Sequence, residues 1–273
     1  MLWRCYDCFH GMPEAACAGG IAVVIDVLRA STTIVTALAH GATRVRPVLT
    51  VPEARDMHAA AGAAGPGYGP LLGGERGGLK IDGFDLGNSP LEYSPYRVAG
   101  RAIVLTTTNG TAALHACADA AEVLIGGIVN RTAVAARARS MAEQRAGCDV
   151  HLVCAGTDGV VTEEDLLAAG AILDAASRLP GAEADALDGP AAVAISLYRS
   201  TVARGPTVPD AIVHAFANSL GGRNLIELGM GRDLTASAAI DSLPIVPRLD
   251  CGTGWLSEST DDDGGGRQES ICR

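Results

Sequence analysis

Residues 20 to 28, GIAVVIDVL, form a continuous apolar run broken by a single carboxylate. A half-buried strand alternates, whereas a run that is apolar at nearly every position suits a strand covered on both faces of a parallel sheet. Arg29-Ala30-Ser31-Thr32-Thr33 then supplies cap residues to the segment IVTALAHGA, which Gly41 stops. The expected order is strand, tight turn and helix, with Asp26 at the far end of the strand.

The same pattern recurs along the chain. TRVRPVLTV (43–51) reads as a strand and PEARDMHAAAG (52–62) as a helix, and YGPLLGG runs into a glycine-rich loop. RAIVLTTTNG (101–110) passes from strand to turn. AEVLIGGIVN (121–130) precedes the helix RTAVAARARSMAEQ, and DVHLVCAG (149–156) precedes TEEDLLAAGAILDAAS (162–177). Strands alternating with helices of this length imply right-handed crossovers, hence an α/β fold of three layers, helix, sheet and helix, with a largely parallel sheet. From 188 to 237 the pattern turns helical before SLPIVPRL offers a last strand. Residues 1–250 are expected to form one catalytic unit, with a position near 145 as the boundary should it divide into two lobes. Residues 251–273 are expected to be a disordered tail, dispensable for folding, since STDDDGGGRQESICR has nothing to bury.

Composition narrows the class. The 273 residues are 48% hydrophobic and 19% charged, enough apolar side chain for a sizeable core. The stretch Ala102–Ala118 is free of formal charge but contains Thr106, Thr107, Thr108, Asn109 and His115, too polar for a bilayer. The net charge of −10 has the wrong sign for neutralising a nucleic-acid backbone. Lys80 is the only lysine. Eight cysteines lie scattered with no signal segment ahead of them, which suggests reduced thiols in a cytoplasm. Cys5-x-x-Cys8, with His10 and Cys17 nearby, is half of a zinc pattern without a second knuckle; ordinary or reactive surface thiols are the expectation.

In such sheets ligands gather beyond the carboxyl ends of the strands, and the polar clusters fall there. At the first cluster, Asp26 could hold Mg²⁺ or attack phosphorus, while Arg29, Ser31 and Thr32 could cradle an anion; a capped helix with Arg29 paired to Asp26 is the plain alternative. Gly73-Gly74-Glu75-Arg76-Gly77-Gly78-Leu79-Lys80 could bring backbone close to a ligand or be a turn of solvated charges. Its glycine spacing approaches a Walker A loop, but Lys-Ser/Thr does not follow. Asp85, Asn88 and Ser89 could meet a metal or ligand, or form an Asx turn ahead of Pro90. Thr106-Thr107-Thr108-Asn109-Gly110 suits phosphate or sulfonate oxygens, although threonine is also good strand sequence. Glu163-Glu164-Asp165 needs nothing beyond the dipole of the helix it opens.

Taken together and in order, IAVVIDVLRASTTIVTAL, GGERGGLKIDGFDLGNSPLEY, IVLTTTNGT, VLIGGIVN and VCAGTDGVVTEEDLLAAG resemble the 2-phosphosulfolactate phosphatase family of coenzyme M biosynthesis. The match runs from about 19 to 250. The resemblance implies a Mg²⁺-dependent hydrolase of phosphoric monoesters that converts 2-phospho-3-sulfolactate to 3-sulfolactate and phosphate. It carries Asp26, Arg29 and Arg76 as catalytic residues. Ser31, Thr32, Lys80, Asn88, Ser89, Thr106, Thr107, Thr108, Asn109 and Gly110 would be substrate contacts, and the same carry-over reaches Glu75, Asp85, Asn130, Glu164 and Asp165. From their chemistry rather than from the resemblance, Asp26, Glu75 and Asp85 are expected to be the metal ligands. Haloacid-dehalogenase-type phosphatases place a second Asp where this chain has Leu28, so nucleophile and metal ligand both stay open for Asp26. A small anionic phosphorylated substrate and a homo-oligomer are expected. A phosphatase of another phospho-hydroxyacid, or a non-catalytic anion-binding module, are the alternatives.

Overall fold

A computed structural model of the chain describes residues 1–62 and 69–259. In chain order the elements are β1 (Leu2–Tyr6), β2 (Ile21–Ile25), α1 (Ala30–Ala39), β3 (Arg44–Pro47), α2 (Val51–Gly62), β4 (Leu71–Arg76), β5 (Leu79–Lys80) and α3 (Pro95–Val98). They continue with β6 (Ala102–Thr106), α4 (Gly110–Ala116), β7 (Glu122–Ile125), α5 (Arg131–Gln144), β8 (Val150–Cys154), α6 (Glu163–Ala176) and β9 (Ala186–Leu187). Last come α7 (Gly189–Val202), α8 (Val208–Asn218), α9 (Leu220–Glu227), α10 (Arg232–Ser237), β10 (Pro247–Asp250) and β11 (Trp255–Glu258). The α/β expectation is met by one sheet of order β5-β4-β6-β3-β11-β10-β7-β2-β8-β1-β9.

Two parallel blocks make up most of that sheet. β4, β6 and β3 form one, and β7, β2, β8, β1 and β9 the other. Between them lie β10 and β11, joined through three antiparallel pairings, β3 with β11, β11 with β10, and β10 with β7. Three reversals leave the blocks running in opposite directions. In a flat sheet their carboxyl ends would lie at opposite edges, yet both ends line one cavity, so the sheet coils strongly between the blocks.

The burial pattern follows from this coil. Ile21, Val23 and Ile25 of β2 face a core completed by α5, α6, α7 and α8, while Ala22 and Val24 face a second core that holds α1 and α4. The second core also takes Val45 of β3, Ile103 and Leu105 of β6, and Leu256 of β11, so α1 sits between the two blocks. That position explains why β2 is apolar on both faces. A smaller cluster, Val48, Ala54, Leu72, Phe84 and Val104, covers the outer face of the first block under α2.

Two segments differ from the sequence reading. Residues 255 to 258 lie in the middle of the sheet, not in a disordered tail; Leu256 is fully buried opposite Val45. Glu122 and Arg248 lock the hairpin to β7 through a buried two-pronged ion pair. Of the expected tail, residues 260–273 lie outside the described residues. At the other end, Cys5 belongs to β1 and Cys8 to the turn after it, both buried, so they are core thiols and not surface ones. Among the described residues no helix is long and apolar enough to cross a membrane.

Candidate active site

The turn after β2 is built by its own hydroxyls. The Asp26 N–H donates to Ser31 Oγ (2.8 Å), and Ser31 Oγ donates to the Val24 carbonyl (3.3 Å). Thr32 Oγ1 donates to the Val27 carbonyl (2.9 Å). Ser31 and Thr32, expected at the substrate, are therefore occupied in shaping the backbone that presents Asp26. The Ala30 N–H donates to Asp26 Oδ1 (3.2 Å). On the other side of Asp26, Gly110 opens α4, and a Cβ there would stand 2.6 Å from Asp26 Oδ2 and 2.7 Å from Ala30 Cβ. Gly110 serves the site by letting α4 come this close.

Beyond this turn lies a cavity of about 730 Å³. The first block contributes Glu75, Gly77, Gly78, Asn88, Thr108 and Asn109, and the second Asp26, Arg29, Gly156, Thr157 and Asp158. Glu164 and Asp165 enter from α6, and Gly221, Asn224 and Glu227 from α9.

Glu75 stands at the end of β4 in a hairpin, not a loose loop. Gly77 and Gly78 both have positive φ (59° and 81°), the mirror-image turn favoured by two-residue hairpins, and Glu75 pairs with Lys80 across it. The hairpin aims the carboxylate inward. Its Oε1 accepts from the Thr108 N–H (2.8 Å) and Thr108 Oγ1 (3.0 Å), and its Oε2 from the Gly78 N–H (2.8 Å). Three donors thus hold Glu75 in one orientation. Arg29 is held as firmly, with Nη1 donating to Asp233 Oδ2 (2.8 Å) and Nη2 to the Gly78 carbonyl (2.7 Å). Ser89 Oγ donates to the other Asp233 oxygen (2.6 Å), so Ser89 acts behind Arg29.

Several expected residues stay away from the cavity. Arg76 is exposed and spends its guanidinium on Thr106 Oγ1 (2.9 Å) and the Leu49 carbonyl (3.3 Å). Asp85 is exposed, and its Oδ2 accepts from the Leu72 N–H (2.8 Å), pinning a loop to β4. Lys80 is exposed on β5. Thr106 is taken by Arg76, and Thr107 pairs its hydroxyl with that of Thr111 at the start of α4 (3.1 Å). Asn130 is spent on the Gly127 N–H and the Ile125 and Ile245 carbonyls. Asn109 does line the cavity, and its Oδ1 accepts from the Asp158 N–H (3.2 Å), joining the two blocks' loops.

Two acids that the helix dipole alone would explain turn inward. Glu164 and Asp165 are each 3% exposed. Burial, then the charges of Glu75 and Glu164, push Asp26 up to about 7 against the opposing Ala30 N–H and Arg29. Burial likewise raises Glu164, and raises Asp165 well above the usual carboxylate range with Asp26 and Glu164 adding to it. Asp233 and α9 had no sequence signal, because nothing local links Asp233 to an arginine 204 positions earlier.

The donor set is one that a hard divalent cation suits. Asp26, Glu75, Glu164 and Asp165 crowd a cavity whose only described Lys or Arg is Arg29, already paired to Asp233. Two buried oxygens there, Glu164 Oε2 and Asn88 Oδ1, have no hydrogen-bond partner. Among the described residues no three His, Cys, Asp or Glu side chains form a ready cage. Mg²⁺ does not require one, since it is commonly held by one or two carboxylates with water and substrate phosphate filling the rest.

The family model for 2-phosphosulpholactate phosphatase matches residues 8–252. A protein of Caldanaerobacter subterraneus subsp. tengcongensis named probable 2-phosphosulfolactate phosphatase is 36% identical over 92% of this chain and 97% of its own length. Proteins given the same name in Symbiobacterium thermophilum and Deinococcus radiodurans are 42% and 41% identical, over 86% and 84% of this chain and 93% and 87% of theirs. With its coiled sheet bringing Asp26, Glu75 and Arg29 to one cavity, the chain belongs to the 2-phosphosulfolactate phosphatase family.

Proposed function

We propose that the protein is a Mg²⁺-dependent phosphatase that hydrolyses 2-phospho-3-sulfolactate to 3-sulfolactate and phosphate. The observation that carries this reading is the charge of the cavity. Four acids, Asp26, Glu75, Glu164 and Asp165, already crowd one another enough that Asp26 and Asp165 hold their protons more tightly than usual. A substrate bearing phosphate, carboxylate and sulfonate could not be added to them with one paired arginine as the only balancing cation among the described residues. A divalent cation reverses that sign. Asp26 and Glu75 would hold it, with the unpartnered oxygens of Glu164 and Asn88 within the same cavity as further donors.

When bound, Mg²⁺ supplies charge neutralisation at the phosphoryl oxygens and at the leaving oxygen. The chain's own residues do the rest. Arg29, fixed between Asp233 and the Gly78 carbonyl, presents its remaining N–H groups without reorganisation. Thr108 and Gly78 keep Glu75 from rotating away. Thr157 and Asn224 add uncharged donors to the cavity lining, suited to the sulfonate and carboxylate. Water's oxygen bonds to phosphorus and gives up one proton to solvent, the phosphorus–alkoxide bond breaks, and the leaving alkoxide takes one proton from solvent, so that one water is consumed for each phosphate and sulfolactate formed.

The test is a comparison of phosphate release from 2-phosphosulfolactate with release from the same phosphoester lacking the sulfonate. Preference for the sulfonate by about tenfold or more, the scale of one lost polar contact, is expected. Equal turnover of both would assign the protein to phospho-hydroxyacids in general.

A further inference from the structure

Asp165 lines the cavity, yet both of its oxygens are spent on backbone. Oδ1 accepts from the Val27 N–H (2.8 Å), and Oδ2 from the Gly156 N–H (3.0 Å), with Thr162 Oγ1 at 3.5 Å. Val27 follows Asp26 after β2, and Gly156 opens the loop after β8 that carries Thr157 and Asp158. One buried carboxylate on the first turn of α6 therefore ties together the ends of two neighbouring strands beneath the site. A carboxyl group is suited to this because it offers one oxygen to each N–H, whereas an amide has a single oxygen acceptor.

We propose that Asp165 is a positioning residue for Asp26: by clamping the Val27 and Gly156 N–H groups to each other it sets where the Asp26 carboxylate and the Gly156–Asp158 wall stand in the cavity. The kinetic part of this inference rests on the phosphatase reading. Gly156 has φ of 65°, and a Cβ there would meet the Val160 carbonyl at 2.5 Å and Cys8 Sγ at 2.9 Å, so its N–H is aimed at Asp165 by a backbone shape that glycine provides.

Asp165→Asn conserves shape and leaves one acceptor for two N–H donors. Steady-state kinetics on 2-phosphosulfolactate and residue-resolved amide hydrogen exchange, measured on the full chain with Mg²⁺, test the clamp. The expected result is a kcat reduced about tenfold to a hundredfold, the cost of roughly 1 Å of misplacement, with KM within about threefold and faster exchange at both Val27 and Gly156. A merely structural acid would lower the thermal midpoint while leaving kcat per folded molecule intact, and that outcome overturns the proposal. Should the variant not fold, exchange in the unaltered protein decides. Matched, strong protection of Val27 and Gly156 supports the clamp, and fast exchange at either overturns it. Absence of any phosphate release by the unaltered protein would refute the phosphatase reading instead, and the exchange measurement would still decide the clamp.

Discussion

Asp26 concentrates the conflict between stability and activity in this chain. Its carboxyl is raised from 3.8 to about 7, chiefly by burial, so the folded protein binds that proton more tightly than the unfolded chain does. Stability of the metal-free protein therefore falls as pH rises from about 4 towards 7, and the full penalty stands above it. Asp26→Asn keeps the acceptor for the Ala30 N–H and removes the charge. In the metal-free protein at pH 8 it should raise the thermal midpoint, by about 2–4 °C for each kcal/mol relieved, and be neutral near pH 4. The same variant should lower kcat by about a hundredfold or more, as loss of one preorganised charge does elsewhere. Calorimetry at the two pH values and initial rates check both halves.

The two arginines expected at the substrate separate on geometry. Arg29→Ala strands Asp233, which is 2% exposed, and should cost about 3–5 kcal/mol of stability as well as most of the activity. Arg29→Lys should not restore it, because a single ammonium cannot span Asp233 and the Gly78 carbonyl. Arg76→Ala should leave KM within about threefold, since the group it loses is an exposed contact to backbone and Thr106. A large KM change at Arg76 would return that residue to the site. From sequence the two were equivalent, each being an arginine beside a carboxylate and near glycine or hydroxyls. What divides them is which way a strand end or a hairpin turns its side chain, and that depends on distant partners.

At the level of elements, β2 and the turn into α1 were legible because their signals are local: an unbroken apolar run, then cap residues. The strands at both ends of the chain were not. β1 pairs with β8 across about 145 residues of sequence, and its LWRCY mixes thiol and charge, so no periodicity marks it. β11 is four residues long and buries chiefly Leu256, too little to stand out beside the acidic segment that follows. Its position makes it indispensable all the same. Ending the chain at Asp250 leaves β10 and β3 with unpaired edges inside the sheet, and should abolish the cooperative unfolding transition. Leu256→Ala should cost about 2–5 kcal/mol, read as a midpoint lowered by roughly 5–15 °C. Normal unfolding of the truncated chain would place β11 outside the folded unit.

The whole molecule unites its site through the coil of the sheet. Glu75, Asn88 and Thr108 belong to one parallel block and Asp26, Gly156 and Glu164 to the elements of the other, and the hairpin of β10 and β11 turns the two toward each other. Asp26, Glu75 and the Glu164–Asp165 pair that meet there come from three separate chain segments, which is why the sequence could offer candidates but not choose among Glu75, Asp85, Glu164 and Asp165. The proposed function needs a bound cation to bring a polyanionic substrate into a cavity so rich in carboxylate. The most direct test is phosphate release from 2-phosphosulfolactate by protein dialysed against EDTA, then titrated with Mg²⁺. Silence in the metal-free protein, and equimolar phosphate and sulfolactate once Mg²⁺ is restored, is the expected result; undiminished release without metal, or none with it, contradicts it.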